Sequence, residues 1–279
     1  MIGSIGSSVG GTWRNPSGRA GLIVLTLLAL FALVGPWILA DPAALNLEIG
    51  SAAPNLGHPF GTDRLGRDIL SRIATGGRIS LSIAAIAVAL SLTIGTAVGT
   101  IAGTSRPLVD GAIMRLVDAA LAIPRLFVLL LLLAVWEQLP IAALILVIGA
   151  TGWFGTSRMV RGEVLRLREE GYLQAARALG ASRRRTIFRH LLPNVSGVIL
   201  VSATLSIGEV ILLEAGLSFL GVGVRPPTPS WGAMVLDAKN SMITAPWELF
   251  FPGIAVVITV LATGLVSEAL RAAFDPRSA

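Results

Sequence analysis

The chain has 279 residues, of which 54% are hydrophobic and 14% charged, with a mean hydropathy of +0.79 and a formal net charge of +6. Soluble domains carry nearer a quarter of charged residues, so this composition excludes a pair of soluble domains and points to a chain solvated largely by lipid. Absence of Cys, with only two His at 58 and 190, removes disulfides, thiolate or histidine-rich metal sites and cysteine nucleophiles.

The first apolar run is Gly21–Ala40, 20 residues without a charge, about 30 Å as a helix and enough to cross a bilayer core. Arg14 and Arg19 precede it, as they would a secretory signal. Signal cores run to about 7–15 residues, so a retained span is expected after a short N-terminal segment, residues 1–20. The second run, Ile79–Gly103, carries Gly95, Gly99 and Gly103 at i, i+4 and i+8, a stripe that lets another helix approach closely. A third span is expected at about 112–136, with Asp118 and Arg125 near its start, and a fourth at 139–157 after Glu137-Gln138. The fifth and sixth are expected at about 194–213 and 249–270.

Six spans place both termini on one side. Arg158–Pro193 holds nine of the 22 Lys+Arg against Glu163, Glu169 and Glu170, a local +6 that leaves the rest of the chain neutral. The positive-inside bias puts this segment, Ser105–Asp110 and both ends in the cytoplasm. Asp41–Arg78, the turn near 136–139 and Glu214–Glu248 then lie on the opposite side.

The basic segment reads as two short helices. In the first, Tyr172, Ala175, Ala176 and Leu179 fall at i, i+3, i+4 and i+7, one helical face. Glu169 and Glu170 suit its positive end, Gly180 is a natural stop, and Ser182 can cap the second helix. That helix carries Arg183-Arg184-Arg185, then Ile187, Phe188, Leu191 and Leu192, with Pro193 at its junction with the fifth span. The first helix could lie on anionic lipid. Its small, alanine-rich face between glycines suits a protein groove better.

Gln174-Ala175-Ala176, Gly180 and Leu192-Pro193 resemble the EAA loop of ABC-importer permease subunits, with Gln174 in place of the usual Glu and His190 where an apolar residue is common. The likeness extends through His58-Pro59-Phe60-Gly61-Thr62-Asp63-Arg64-Leu65-Gly66-Arg67-Asp68, Glu214–Gly221, Pro226–Gly232 and Asp275-Pro276-Arg277. Together they resemble the C-type subunit of the dipeptide/oligopeptide/nickel group.

The resemblance implies an all-α integral membrane protein with six transmembrane helices and a cytoplasmic coupling-helix loop, the type I ABC importer permease fold. It implies a peptide or small-solute path shared with a second permease subunit as a heterodimer. Two cytoplasmic ATPase subunits would use ATP and Mg, with no cofactor on this chain and no nucleic acid. An extracytoplasmic binding protein would deliver substrate across a bacterial inner membrane. In agreement, the sequence has no G-x-x-x-x-G-K-[ST], and its single lysine, Lys239, lies outside any Gly-rich loop.

By the same likeness, coupling falls to Glu170, Gly171, Tyr172, Gln174, Ala175, Ala176, Leu179, Gly180, Ser182 and Pro193. Binding-protein docking or gating falls to Gly61, Thr62, Asp63, Gly66, Asp68, Pro229 and Trp231, with packing of these loops onto the bundle as the alternative. Ionisable residues inside spans invite functional readings. Glu214, like Glu209, is a candidate for the translocation path, with a structural role at a span end preferred for it. Glu209 either faces a water-filled path and meets a peptide's amino group, or pairs with an arginine or backbone. Asp118 is expected to pair locally with Arg115. Two other function classes were weighed: a secondary transporter driven by an ion gradient without an ATPase, and an intramembrane hydrolase. The latter finds no Cys, no H-E-x-x-H and no His within a span.

Overall fold

A computed structural model describes residues 12–13, 15–135 and 140–274. Arg14, the turn at 136–139 and Asp275-Pro276-Arg277 lie outside the described residues. Helix α1 (Pro16–Ile38) starts where the Asn15 side chain accepts from the Ser17 N–H at 3.0 Å, with Pro16 in the first turn. Helix α2 (Ile69–Thr104) begins ten residues before the expected Ile79. The charges that argued against helix there are Arg72 and Arg78. Arg72 is only 4% exposed and is neutralised by Asp63 and Asp237.

The third span is not one helix. Helices α3 (Pro107–Leu121) and α4 (Arg125–Leu133) are bent by 78° across the short break between them. Pro124 disfavours helical backbone at Ile123 and cannot donate to the ladder, which ends α3. Helix α5 (Ile141–Arg168) continues eleven residues past the expected end at Ser157. Short α6 (Gly171–Ala178) follows, then α7 (Arg183–Arg185), a π-helical turn Thr186–Leu191, and α8 (Leu192–Phe219). In the π turn the Leu192 N–H reaches back to Ile187 O, a widening next to Pro193, whose missing N–H interrupts the ordinary ladder. Helices α9 (Trp231–Asp237) and α10 (Trp247–Phe274) complete the fold. No strand occurs among the described residues, only an isolated bridge between Thr62 and Asp68. Five of these helices are long and apolar enough to span a membrane, and six if the bent pair counts as one.

The glycine stripe decides the central packing. A methyl carbon at Gly95, Gly99 or Gly103 would stand within 2.7 Å of Thr156 Cβ, 2.5 Å of Ser157 O and 2.7 Å of Val164 Cγ1 respectively. As α2 advances so does α5, so the two run parallel and touch backbone to backbone. Around them, Ile83, Ala87, Leu129, Ile148, Ile211 and Trp231 form the main buried core. Large apolar side chains such as Leu27, Trp37 and Leu131 are left facing outward, as a lipid-bathed surface requires.

Candidate coupling surface and membrane path

The basic segment divides differently from expectation: residues 158–168 extend α5, and only α6 stands apart. Leu173, fully buried, pins α6 into a small core of Val160, Val164 and Leu167 from α5 with Leu191 and Val195 beyond it. Sequence reading missed Leu173, because it lies off the face through Tyr172 and Leu179. Gly171, Tyr172, Gln174 and Ala175 are exposed, Ala176 half-buried, and Leu179 89% exposed. At the end of α6 the Gly180 N–H donates to Arg177 O and the Ala181 N–H to Ala176 O, with Gly180 at φ +85°. That reversal needs the left-handed region, which glycine enters without cost. Exposed Ser182 caps α7 by accepting from the Arg185 N–H at 3.3 Å.

Side chains lock this arm to the bundle. Arg161 grips Asp110 through two bonds of 2.5 and 2.6 Å, and Arg166 bridges Glu163 and Glu170. Arg168 donates to Gly103 O at 2.6 Å. The Gln174 amide reaches back to Glu169 O at 3.1 Å, so this departure from the family pattern is used locally. Asn194, one residue past half-buried Pro193, donates to the Tyr172 hydroxyl at 3.4 Å and to His190 O at 2.6 Å. Burial, then the nearby Glu170 carboxylate, raises the Tyr172 phenol above its ordinary value. Asp118 pairs with Arg158 at 3.5 Å and not with Arg115, because α5 passes beside α3.

Within the bundle, Glu214 is fully buried and accepts from three hydroxyls: Ser218 and Ser230 at 2.8 Å and Ser80 at 3.1 Å. Ser80 also accepts from the Trp231 N–H, and Ser230 caps α9 at the Ala233 N–H. Glu214 therefore ties α2, α8 and α9 together, fully buried and apart from the cavity that Glu209 lines. Glu209 is 65% exposed and pairs with Arg125 at 3.0 Å. Arg125, singled out in the sequence only as a blemish in a span, also donates to Ile148 O at 2.6 Å and Thr151 Oγ1 at 3.4 Å. The pair lines a cavity of about 270 Å³ with Thr151, Gly155, Ser202 and Ser206.

The loops expected to dock a partner are wired inward. Asp63 accepts from the backbone of Leu65 and Arg67 and from the guanidinium groups of Arg67 and Arg72, and both arginines reach Asp237. Asp68 caps α2 and holds His58 Nδ1 at 2.8 Å. Thr62 bonds Gly50 and Ala52, and its carbonyl accepts from Trp247 Nε1. Gly61 and Gly66 sit at φ +77° and +70° under close backbone neighbours. Phe60 stacks on Phe251 at 4.0 Å. Trp231, 1% exposed, donates to Ile73 O at 3.0 Å, and Pro229 is buried beside it. All seven residues thus shape the end of the bundle. Exposed in these loops are Leu56, Arg64, Pro226 and Pro227.

A bundle of apolar spanning helices with an ion pair lining a cavity and an exposed helix–glycine–helix arm fits the membrane part of a transport system. The family described as the binding-protein-dependent transport system inner membrane component matches residues 95–279, and this chain belongs to it, as a permease subunit of an ABC importer. A Brucella suis protein named provisionally as a peptide permease is 41% identical over 268 residues, covering 95% of this chain and 88% of that protein. The oligopeptide transport system permease protein OppC of Bacillus subtilis is 39% identical over 264 residues, 94% and 86% of the two chains. The dipeptide permease DppC of Alkalihalophilus pseudofirmus is 38% identical over 266 residues, 95% and 87%. Among solved structures, a chain of the MetNI methionine ABC transporter in an inward-facing form matches with TM-score 0.56 at 20% identity, covering 71% of this chain and 94% of that one. At that identity the likeness concerns the fold.

Proposed function

We propose that this chain forms half of the path of an ATP-driven importer of dipeptides, oligopeptides or a related small solute. A second permease subunit completes the path as a heterodimer, and an extracytoplasmic binding protein delivers substrate to it. Two cytoplasmic ATPase subunits consume ATP and Mg, with no cofactor held by this chain. The membrane is the bacterial inner membrane, with both termini in the cytoplasm. The peptide class draws support from the names of the oligopeptide and dipeptide permeases it resembles. The comparisons lend the ion-gradient alternative no support.

The observation that carries the reading is α6: anchored by buried Leu173, it leaves Tyr172, Ala175 and Leu179 exposed. A short helix face carrying Tyr172, Ala175 and Leu179 at helical spacing, exposed outside the spans, suits the groove of a partner protein. Because α6 is keyed to α5 and, through the π turn, to α8, closure of the ATPase pair would move the spans as a rigid body. Ala175→Glu and Leu179→Glu are expected to abolish ATP-driven uptake and the co-purification of ATPase subunits, with the chain still recovered in membranes. Normal uptake by both variants would refute the docking assignment.

A further inference from the structure

Helix geometry sets the depth of the Arg125–Glu209 pair. Thr151 lies ten residues into α5, Glu209 ten residues before the end of α8, and Arg125 eight residues from the end of α4. At 1.5 Å per residue these are about 15, 15 and 12 Å from the ends of their own helices. Helices α2 and α5 run parallel, and Glu214 of α8 meets Ser80, eleven residues into α2. Thr151 and Glu209 therefore lie in the interior of helices long enough to cross a hydrocarbon core about 30 Å thick, and Arg125 at the break of a discontinuous span.

The two partners are not equally committed. Arg125 is 23% exposed and spends its donors on Ile148 O, Thr151 and Glu209. Glu209 is 65% exposed, with Arg125 as its one hydrogen-bond partner among the described residues. It lines a cavity whose other polar lining, Arg125 apart, consists of uncharged hydroxyls. A carboxylate left open to lipid at that depth would cost several kcal/mol, so this face meets water. Because the cation is tucked into the wall and the anion projects, the cavity presents a negative surface although the pair is neutral.

We propose that this mid-depth cavity is a transit station for ammonium groups, with Glu209 accepting the substrate's cation and Arg125 as the positioning residue that aims the carboxylate. The proposal rests on the reading of this chain as half of a peptide path, and it names the end of the peptide that is sensed there, the free amino terminus. Discontinuous helices commonly build such mid-membrane sites. Arg125 takes its place because Pro124 breaks the span one residue before it, and close packing at Gly152 leaves room for its guanidinium.

The chain has no cysteine, so a single introduced thiol is its only one, and labelling is read on this subunit after separation from its partners. Gly155 lines the cavity, and a Cβ added there meets nothing within 4 Å. Gly155→Cys and Ser206→Cys in the complete transporter are the probes, each treated with cationic aminoethyl or anionic sulfonatoethyl methanethiosulfonate. The cationic reagent is expected to react roughly tenfold faster, as in a cleft of one sign, and the ratio to fall to near one when Glu209→Gln is added. No reaction at either thiol, or a preference that survives Glu209→Gln, would overturn the proposal. In reconstituted complexes sharing one binding protein, Glu209→Gln and Arg125→Gln should each shrink the preference for tri-alanine over N-acetyl-tri-alanine by roughly tenfold. Arg125→Lys should restore part of it. An equal loss of both substrates would reduce the pair to a structural link. If the wild-type complex imports no tri-alanine, the peptide reading fails, and the thiosulfonate ratio still decides the charge preference of the cavity.

Discussion

Asp63 shows how a single side chain can hold an end of the bundle. Its carboxylate and that of Asp237 face the guanidinium groups of Arg67 and Arg72, and Asp63, Arg67 and Arg72 are nearly buried. Removing one partner strands buried charge, at a cost of about 3–5 kcal/mol. Asp63→Asn is therefore expected to lower the unfolding temperature of the detergent-solubilised chain by several degrees, whereas Arg64→Ala, at an exposed neighbour, should leave it unchanged. Glu214 makes the complementary case. Glu214→Leu removes the acceptor for three hydroxyls and leaves buried donors unmet, about 1–3 kcal/mol each. Glu214→Gln keeps an acceptor oxygen and should cost visibly less in the same thermal assay. The motif residues were legible in the sequence, but their direction was not. Trp231 and Asp63 read equally well as surface contacts until burial showed them turned inward, because a local motif does not state which side of a loop meets the core.

At the scale of elements, spacing was informative where one helix meets another along a repeating contact. The i, i+4, i+8 glycines foretold close packing, and the partner helix proved to be α5, one turn matched to one turn. Gly99→Leu would drive a side chain into Ser157 O and Val160. Overpacking of this kind costs typically about 1–3 kcal/mol, read as loss of folded, monodisperse protein on size exclusion, with Gly111→Leu, where a Cβ meets nothing within 4 Å, as the tolerant control. Hydropathy was least informative where charge is neutralised by distant residues. The first turns of α2 looked polar because Arg72 and Arg78 lie in them, and Arg72 is matched only by Asp63 and by Asp237 from α9. The broken third span was signalled by Pro124 beside Arg125, yet an apolar window averages over a proline and reports one span.

For the whole molecule, charge predicts direction. With the chain free of cysteine, Arg64→Cys on the first loop should react with a membrane-impermeant maleimide added to intact cells. Arg184→Cys on α7 should react only after permeabilisation. The reverse pattern would invert the topology.

Length, hydropathy and arginine distribution by themselves pointed to a helical membrane chain with six crossings and an expected orientation; five helices are long and apolar enough to span, six with the bent pair. These follow from the local cost of placing charge and unpaired backbone in hydrocarbon, a cost that is additive along the chain. Only the tertiary structure decided that Leu173 anchors α6, that the motif residues of the loops are buried, and that Arg125 and Glu209, 84 residues apart, share one cavity. Those facts depend on which distant side chains come within a few ångströms of one another, and no property of a single segment records that distance.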